Sequence, residues 1–245
     1  NAGNYGLAFK DKKAEYLLYS MDRNNKIHFE KEQYARYDFK FGQHEKGPGL
    51  ILNYGDLTVL FLITEKSFQL IDPKNQAVDL EQIPSWGFKG KELWGSSRGY
   101  IWSRTLPMIK NNLLIGNGPD TFALYFPQND YVGKLIGYGT MQIIVDKAHN
   151  MYLQTAVNNG LISLITLIIF FVMYIISSIK CYIKHPPHDM LSNIGVAIFF
   201  SVIGYLTTGI FNDSVVSVST VFWLFLGLGT SINLLISNQS KGENR

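Results

Sequence analysis

Residues 160–179 read GLISLITLIIFFVMYIISSI, twenty positions without a charge. At about 1.5 Å of rise per residue, such a helix matches the roughly 30 Å hydrocarbon thickness of a bilayer. Residues 190–211 and 214–237 have the same character. Gly195, Gly204 and Gly209 recur in the first of these, Gly227 and Gly229 in the second. Small residues at such spacings let helices approach closely where lipid gives no hydrophobic drive. Residues 159–245 hold 4 basic and 3 acidic side chains, whereas 1–158 hold 18 and 16. That asymmetry excludes a purely soluble protein.

The whole chain has 245 residues and a net charge of +3, too balanced for the basic stripe of a nucleic-acid-binding domain. Cys181 is the single cysteine, which excludes an intramolecular disulfide and argues against a thiolate metal cluster. Lys180, Lys184, His185 and His188 occupy the connection 180–189, and Lys241 and Arg245 the tail. The connection at Asn212 and Asp213 has no Lys or Arg. The positive-inside rule then puts 180–189 and the C-terminus in the cytoplasm and residues 1–158 outside it. That loop charge also accounts for His185, His188 and Cys181 without a metal. The chain starts at Asn1 with no signal-peptide pattern, so it reads as processed or as a fragment, with membrane passages expected upstream.

Residues 25–95 read as a small antiparallel β module. Ile27 and Phe29, Phe39 and Phe41, and Leu57, Val59, Phe61 and Ile63 follow period 2. Leu60 and Leu62 are apolar too, which predicts a strand covered on both faces. Glu65-Lys66 and Asp72-Pro73-Lys74-Asn75 read as turns, the second leading into Val78 and Leu80. The module reads first as a packing or spacing element, with carbohydrate contact through Trp86, Trp94 or the many tyrosines as the alternative.

Residues 97–112 predict a helix with a kink or break at Pro107. Gly116-Asn117-Gly118-Pro119-Asp120-Thr121-Phe122 is turn chemistry, with Asp120 or Thr121 suited to cap a short helix. It is neither a Walker loop nor a GxGxxG fingerprint. Residues 131–140 hold three glycines and read as a mobile loop, with Asp130 a loop residue. Asp56, Asp72, Asp120 and Asp130 have no spacing that pairs them for glycoside hydrolysis.

Asp146 predicts an N-cap, with Lys147 first in a helix that runs unbroken into the first span. His149 then lies in its first turn, where the dipole favours an anion and a neutral imidazole suited to act as a base. Gly160 is eleven residues further, so His149 is expected at the lip of the bilayer, with Tyr152 an interfacial aromatic. Arg98 and Arg104 are the only arginines between Arg36 and Arg245. Guanidinium suits phosphate because its fork binds two oxygens at once. Six residues apart, the two point about 120° apart on a helix, so one of them is expected in the site.

Three of these segments resemble the C-terminal half of the O-antigen ligase and O-antigen polymerase family of membrane glycosyltransferases. His149-Asn150, nine residues and then Gly160-Leu161-Ile162-Ser163 looks like the family's histidine motif. Ser97-Arg98-Gly99-Tyr100-Ile101-Trp102 looks like its arginine–tryptophan segment, and the 116–122 stretch like its glycine turn. The likeness covers about residues 95–180; residues 1–90 match nothing familiar and look like an extracytoplasmic insertion.

The residues and the resemblance together predict an α+β membrane protein in four parts, the GT-C-like character of its helices being what the resemblance adds. These are an N-terminal stub or linker (1–24), the extracytoplasmic β module (25–95), an extracytoplasmic catalytic loop region (96–158), and three transmembrane helices of a GT-C-like bundle (159–245). The resemblance implies transfer of a glycan from a polyprenyl diphosphate to an acceptor hydroxyl, with no cofactor and no metal. The acceptor would be a glycan, a lipid or a wall polymer, and the further partners are membrane lipids and upstream transmembrane helices. Arg98 would hold the diphosphate and His149 would orient or deprotonate the acceptor, with Arg104, Asn150, Trp102 and Gly118 in substrate binding. Without upstream helices, the stretch by itself is expected to show no transfer. The competing reading is a membrane-anchored, non-enzymatic glycan-binding or envelope assembly protein. A sensor is disfavoured by the short tail after Ser237.

Overall fold

A computed structural model describes residues 9–10, 16–34, 37–54, 57–64, 68–79, 82–110 and 112–242. It divides into two compact units, Asn1–Gln82 with Asp130–Ile143, and Ile83–Asn129 with Ile144–Arg245.

The first unit is built on strands. β1 (Phe9–Lys10) pairs with β2 (Tyr16–Leu17). β3 (Tyr19–Met21), β4 (Lys26–Phe29), β5 (Asp38–His44), β6 (Gly47–Tyr54), β7 (Leu57–Ile63), β8 (Phe68–Ile71) and β9 (Ala77–Asp79) form an antiparallel meander in sequence order. The register aligns Ile27 with Phe39, Phe39 with Leu52 and Leu52 with Val59 on one face. Leu50, Phe61, Leu70 and Val78 continue that face. Val59 and Leu62 point to opposite faces, and both are buried. The strands thus start ahead of residue 25 and end at Asp79, offset from the expected 25–95. Asp72 makes the expected turn, its carboxylate accepting from the backbone N–H of Lys74 and Gln76. Glu65-Lys66, Leu80 and Asp56 lie outside the described residues.

The same unit holds α3 (Tyr131–Tyr138), where three glycines predicted a loop. Asp130 accepts from the N–H of Gly133 at the start, and Gly139, with φ 70, closes the end. Two good caps outweigh the helix cost of internal glycines.

The second unit is helical: α1 (Trp94–Ile109), α2 (Phe122–Tyr125), α4 (Met151–Lys184), α5 (Met190–Thr208) and α6 (Val216–Gly242). Gly95, Ser96 and Ser97 are left-handed, so the right-handed part of α1 starts at Arg98. Pro107 does not break α1; it sits in the last turn. The carbonyl it leaves free, that of Ser103, accepts from the N–H of Trp86 at 2.8 Å. Neither Asp120 nor Thr121 caps α2 with its side chain: Asp120 has φ 55, and the Thr121 hydroxyl donates to the Gly118 carbonyl.

The last three helices are long and apolar enough to cross a membrane. Phe171, Tyr174, Val202, Leu206, Phe222 and Leu226 form their common core. Asn233 donates its amide to the Ser178 hydroxyl at 2.8 Å, joining α6 to α4. A Cβ at Gly195 would strike the Tyr182 hydroxyl and one at Gly229 that of Tyr174, so these glycines seat bulky side chains. Gly204 and Gly227 face open space and are not packing sites here.

α4 is not the continuous rod expected from the sequence. Gly160 has φ 82 and ψ 171, which separates Val157 O from Leu161 N. Both groups find partners in the segment 113–117, which leads into the glycine turn: Asn117 N donates to Val157 O at 2.9 Å, and Leu161 N donates to Leu113 O at 2.8 Å. Gly118 N takes Asn158 O at 2.8 Å. The approach leaves no room for a Cβ at Gly160, against the Leu114 carbonyl, or at Gly116, against the Asn158 carbonyl.

Gly160→Ala is therefore expected to destabilise the protein by on the order of 1–3 kcal/mol, through overlap and positive φ together. Gly204→Ala, facing open space, should stay within about 0.5 kcal/mol. Thermal unfolding of the two variants in detergent separates them; equal unfolding temperatures would refute the plugged break.

Candidate functional site

The site grows from the connection between α5 and α6. α5 ends at Thr208 and leaves carbonyls without helical partners. α4 begins at Met151 and has the opposite shortage, free N–H groups. The two ends meet. Met151 N donates to Gly209 O at 2.8 Å and to Asn212 O at 2.9 Å. Asn150 Nδ2 donates to Ile210 O at 2.8 Å, while Asn150 Oδ1 accepts from Leu153 N at 2.9 Å. Asn150 is thus the N-cap of α4, and the expected cap at Asp146 is wrong. A cap that also bonds another connection outcompetes one with only local partners.

His149 therefore lies just ahead of the cap rather than in the first turn. Its φ of 48 is left-handed, which costs a non-glycine residue about 1–3 kcal/mol and needs support from neighbours. Ala148 supplies it: its N–H donates to Gln154 Oε1 and its carbonyl accepts from Trp102 Nε1, both at 2.8 Å. The buried Trp102 ring also stacks on Phe211 at 6.2 Å. So held, His149 Nδ1 lies 3.3 Å from Asp213 Oδ1. Its side chain is 41% exposed, and Nε2 has no partner among the described residues.

Asp213 is shared. Lys147 Nζ lies 3.0 Å from its other oxygen, Oδ2. Burial acts to raise the Asp213 carboxyl, but the Lys147 hydrogen bond, its own backbone N–H and the charges of Lys147 and His149 outweigh it. The net result is a carboxyl held below the ordinary 3.8. The same bond and charge hold Lys147 above the ordinary 10.5.

Arg98 closes the ring of contacts. Nε donates to Phe211 O at 2.8 Å, Nη2 to Asn212 Oδ1 at 3.3 Å, and Nη1 to Gly95 O at 2.8 Å. The left-handed turn at Gly95–Ser97 is what brings that last carbonyl under the guanidinium. Of five guanidinium N–H groups, three are engaged by described residues, which leaves one on each terminal nitrogen without a partner among the described residues. Arg98 and His149 thus converge on adjacent residues, Asn212 and Asp213, from different parts of the chain.

Asn150 and Trp102 belong to the same cluster, both as supports. Arg104 and Gly118 do not. Arg104 lies further along α1, its guanidinium 5.2 Å over the Tyr100 ring, and Gly118 is in the turn that plugs α4. Lys147 and Asp213 were not among the residues expected in the site. A signal existed: Asp213 is the one acidic residue between the second and third spans, and three alternating spans return that connection to the end where α4 begins.

A groove of about 290 Å³ runs down α4 from this end. Met151, Thr155, Asn159, Ser163, Leu167 and Phe171 line it at intervals of four, the polar Thr155, Asn159 and Ser163 lying between Met151 and the apolar Leu167 and Phe171. Tyr205, Ser214 and Phe222 face them.

Residues 57–168 match the family Wzy_C, described as O-Antigen ligase. Residues 57–168 thus carry an O-antigen ligase domain, in agreement with the resemblance to the O-antigen ligase and polymerase family. The match spans Arg98, Trp102, Arg104, Gly118, His149, Asn150 and Gly160. It begins inside the sheet, so the expectation that residues 1–90 match nothing fails from residue 57 onward. No curated protein and no solved structure matches the chain. The family belongs to cell-surface polysaccharide assembly, with glycosyltransferase-like ligase or polymerase activity on a lipid-linked glycan and an acceptor. With three apolar spans, the chain is a membrane protein.

Asp213→Asn tests the charge cluster. A lowered carboxyl contributes stability above its unfolded pKa and loses it as pH falls through the folded value. A raised lysine contributes below its unfolded pKa and loses it as pH rises through the folded value. The stability gap between the parent protein and Asp213→Asn should therefore be flat from about pH 5 to about pH 10 and narrow at both ends. Denaturation across that range measures it; a gap that widens below about pH 4 would contradict the pairing.

Proposed function

We propose that this chain carries the reaction centre of a GT-C-like membrane glycosyltransferase, one that moves a glycan from a polyprenyl diphosphate to an acceptor hydroxyl outside the cytoplasm. The observation that carries the reading is the convergence of His149 and Arg98 on Asn212 and Asp213, next in the chain to Ser214, which with Met151 lines the groove along α4. His149 Nε2 takes the proton of the acceptor hydroxyl, and Asp213 steadies the ring from Nδ1. The acceptor oxygen bonds to the anomeric carbon of the donor glycan. The bond from that carbon to the phosphate oxygen breaks, and polyprenyl diphosphate leaves with the electron pair. The two remaining N–H groups of Arg98 bind the departing phosphates, and the groove along α4 takes the first prenyl units. Asn150 and Trp102 are positioning residues that aim the imidazole. No metal is required, because fixed cations meet the developing charge.

Loop charge favours residues 1–158 outside the cytoplasm and the 180–189 connection inside it. The strand unit then stands as an extracytoplasmic insertion. Either a second repeat unit (polymerase) or a lipid or wall polymer (ligase) satisfies the same chemistry as acceptor.

In the complete protein, His149→Ala is expected to lower transfer by about 10²–10⁴ and Arg98→Ala by about 10²–10³. Both variants should keep their level in the membrane. Gel analysis of glycan transferred from a lipid-linked donor, beside an immunoblot of the enzyme, reads both quantities. Full product with either side chain trimmed would favour the anchored binding protein instead.

A further inference from the structure

The segment 112–118 that fills the break in α4 has a second face. Its polar groups are spent on α4: Asn117 N and Gly118 N donate to the Val157 and Asn158 carbonyls, and Leu113 O accepts from Leu161 N. The segment also closes on itself as a tight turn. Gly116 N donates to Asn112 O at 2.9 Å, and Asn112 Nδ2 donates to Asn117 Oδ1 at 2.8 Å. What the turn leaves exposed is Leu113, Leu114 and Ile115, with Leu114 59% and Ile115 82% exposed. No Asp, Glu, Lys or Arg stands between Lys110 and Asp120. Three consecutive apolar side chains at a tip, with the polar groups folded inward, invert the pattern of a turn that faces water.

The position of the turn along α4 decides what covers that tip. The uncharged stretch from Gly160 to Ile179 rises about 30 Å, the thickness of the hydrocarbon, so Gly160 marks one boundary of the hydrocarbon and Lys180 the other. The tip is fastened at the first boundary, where a Cβ on Gly160 would strike the Leu114 carbonyl and the Ile115 nitrogen. Further along α4, Ile162, Ile165 and Ile169 are exposed as well, so the apolar surface of the span continues onto the turn. We propose that Leu114 and Ile115 are seated in lipid, among the headgroups and first acyl carbons of the leaflet at the Gly160 end, and that the turn is a membrane-inserted wedge. The backbone sets the depth. Peptide groups bonded to α4 tolerate the loss of water, whereas the remaining ones need the boundary, where water is still within reach. The wedge requires no transfer chemistry and stands apart from the glycosyltransferase reading. It bears on the stretch 151–159 all the same, since Asn117 and Gly118 hold the carbonyls near its end.

Cys181 is the single cysteine of the chain, so a Cys181→Ser background accepts one spin label at a time. The complete protein is placed in nanodiscs of phosphatidylethanolamine and phosphatidylglycerol. Power saturation then compares collision with oxygen, which concentrates in lipid, against collision with a water-soluble nickel chelate. Labels at Ile115→Cys and at Leu114→Cys should show an oxygen-to-nickel ratio at least about threefold above that at Asp120→Cys, the water-facing reference. They should approach the ratio at Ile162→Cys, the reference on the span. Two tip positions are used so that one decides the matter if the other variant does not fold. A tip that collides with nickel as Asp120→Cys does lies in water. A tip shielded from both reagents is covered by protein. Either result overturns the proposal.

Discussion

A helix entering a bilayer has no water to satisfy an open peptide group, so a break in it must be filled by the protein itself. The helix α4 breaks at Gly160, and the segment 112–118 fills the gap with its own N–H and carbonyl groups. The separated pair, Val157 O and Leu161 N, is taken up by Asn117 N and Leu113 O. This exchange explains why both Gly116 and Gly160 lack side chains: a Cβ on Gly116 would strike the backbone of Asn158 and Gly160, and one on Gly160 the backbone of Leu114 and Ile115. The short stretch 151–159 is thereby freed from the direction of the span below it, and its N-terminus can meet the end of α5.

That meeting fixes the chemistry. The free N–H of Met151 and the free carbonyls after Thr208 are the positive and negative ends of two helix dipoles. Their contact aligns residues 147–150 beside residues 209–213, so that Lys147, His149 and Asn150 each find a partner there. Arg98 reaches the same connection from α1, and Trp102 ties α1 to Ala148. Backbone groups do most of the fastening, and the side chains with chemistry ride on them.

This division also decides what the sequence could reveal. The three spans were legible because lipid leaves a compositional mark on every residue that faces it. The β alternation was legible for the same reason in smaller measure. The break at Gly160 was not, since a glycine in an apolar run reads as helix packing, and its partner turn lies more than forty residues away. The start of α4 was misjudged because Asp146 has the right chemistry for a cap, but Asn150 can bond Leu153 and Ile210 together. α3 was hidden by its glycines, though both its caps, Asp130 and Gly139, were in plain sight. His149 and Arg98 stood out as residue types; Asp213 did not, because a lone carboxylate acquires meaning only when topology returns it to the histidine.

The charges around Asp213 bear on how an anionic donor could be accepted there. A carboxylate beside a diphosphate site would repel it if left bare. Here Lys147 holds one oxygen at 3.0 Å and the imidazole faces the other, so the carboxylate's charge is largely spent inside the cluster. Counting Arg98, Lys147 and Asp213 together leaves one net positive charge before His149 is considered. It resides at Arg98, whose remaining N–H groups have no partner among the described residues. Neutralising Asp213 locally while Arg98 has no carboxylate partner among the described residues lets one connection serve a base and an anion hole at once. The two would otherwise demand fields of opposite sign. The same separation accounts for Arg104 lying on another side of α1: a second guanidinium at the 209–213 connection would compete for Asp213 and release Lys147, and with it the hold on the imidazole.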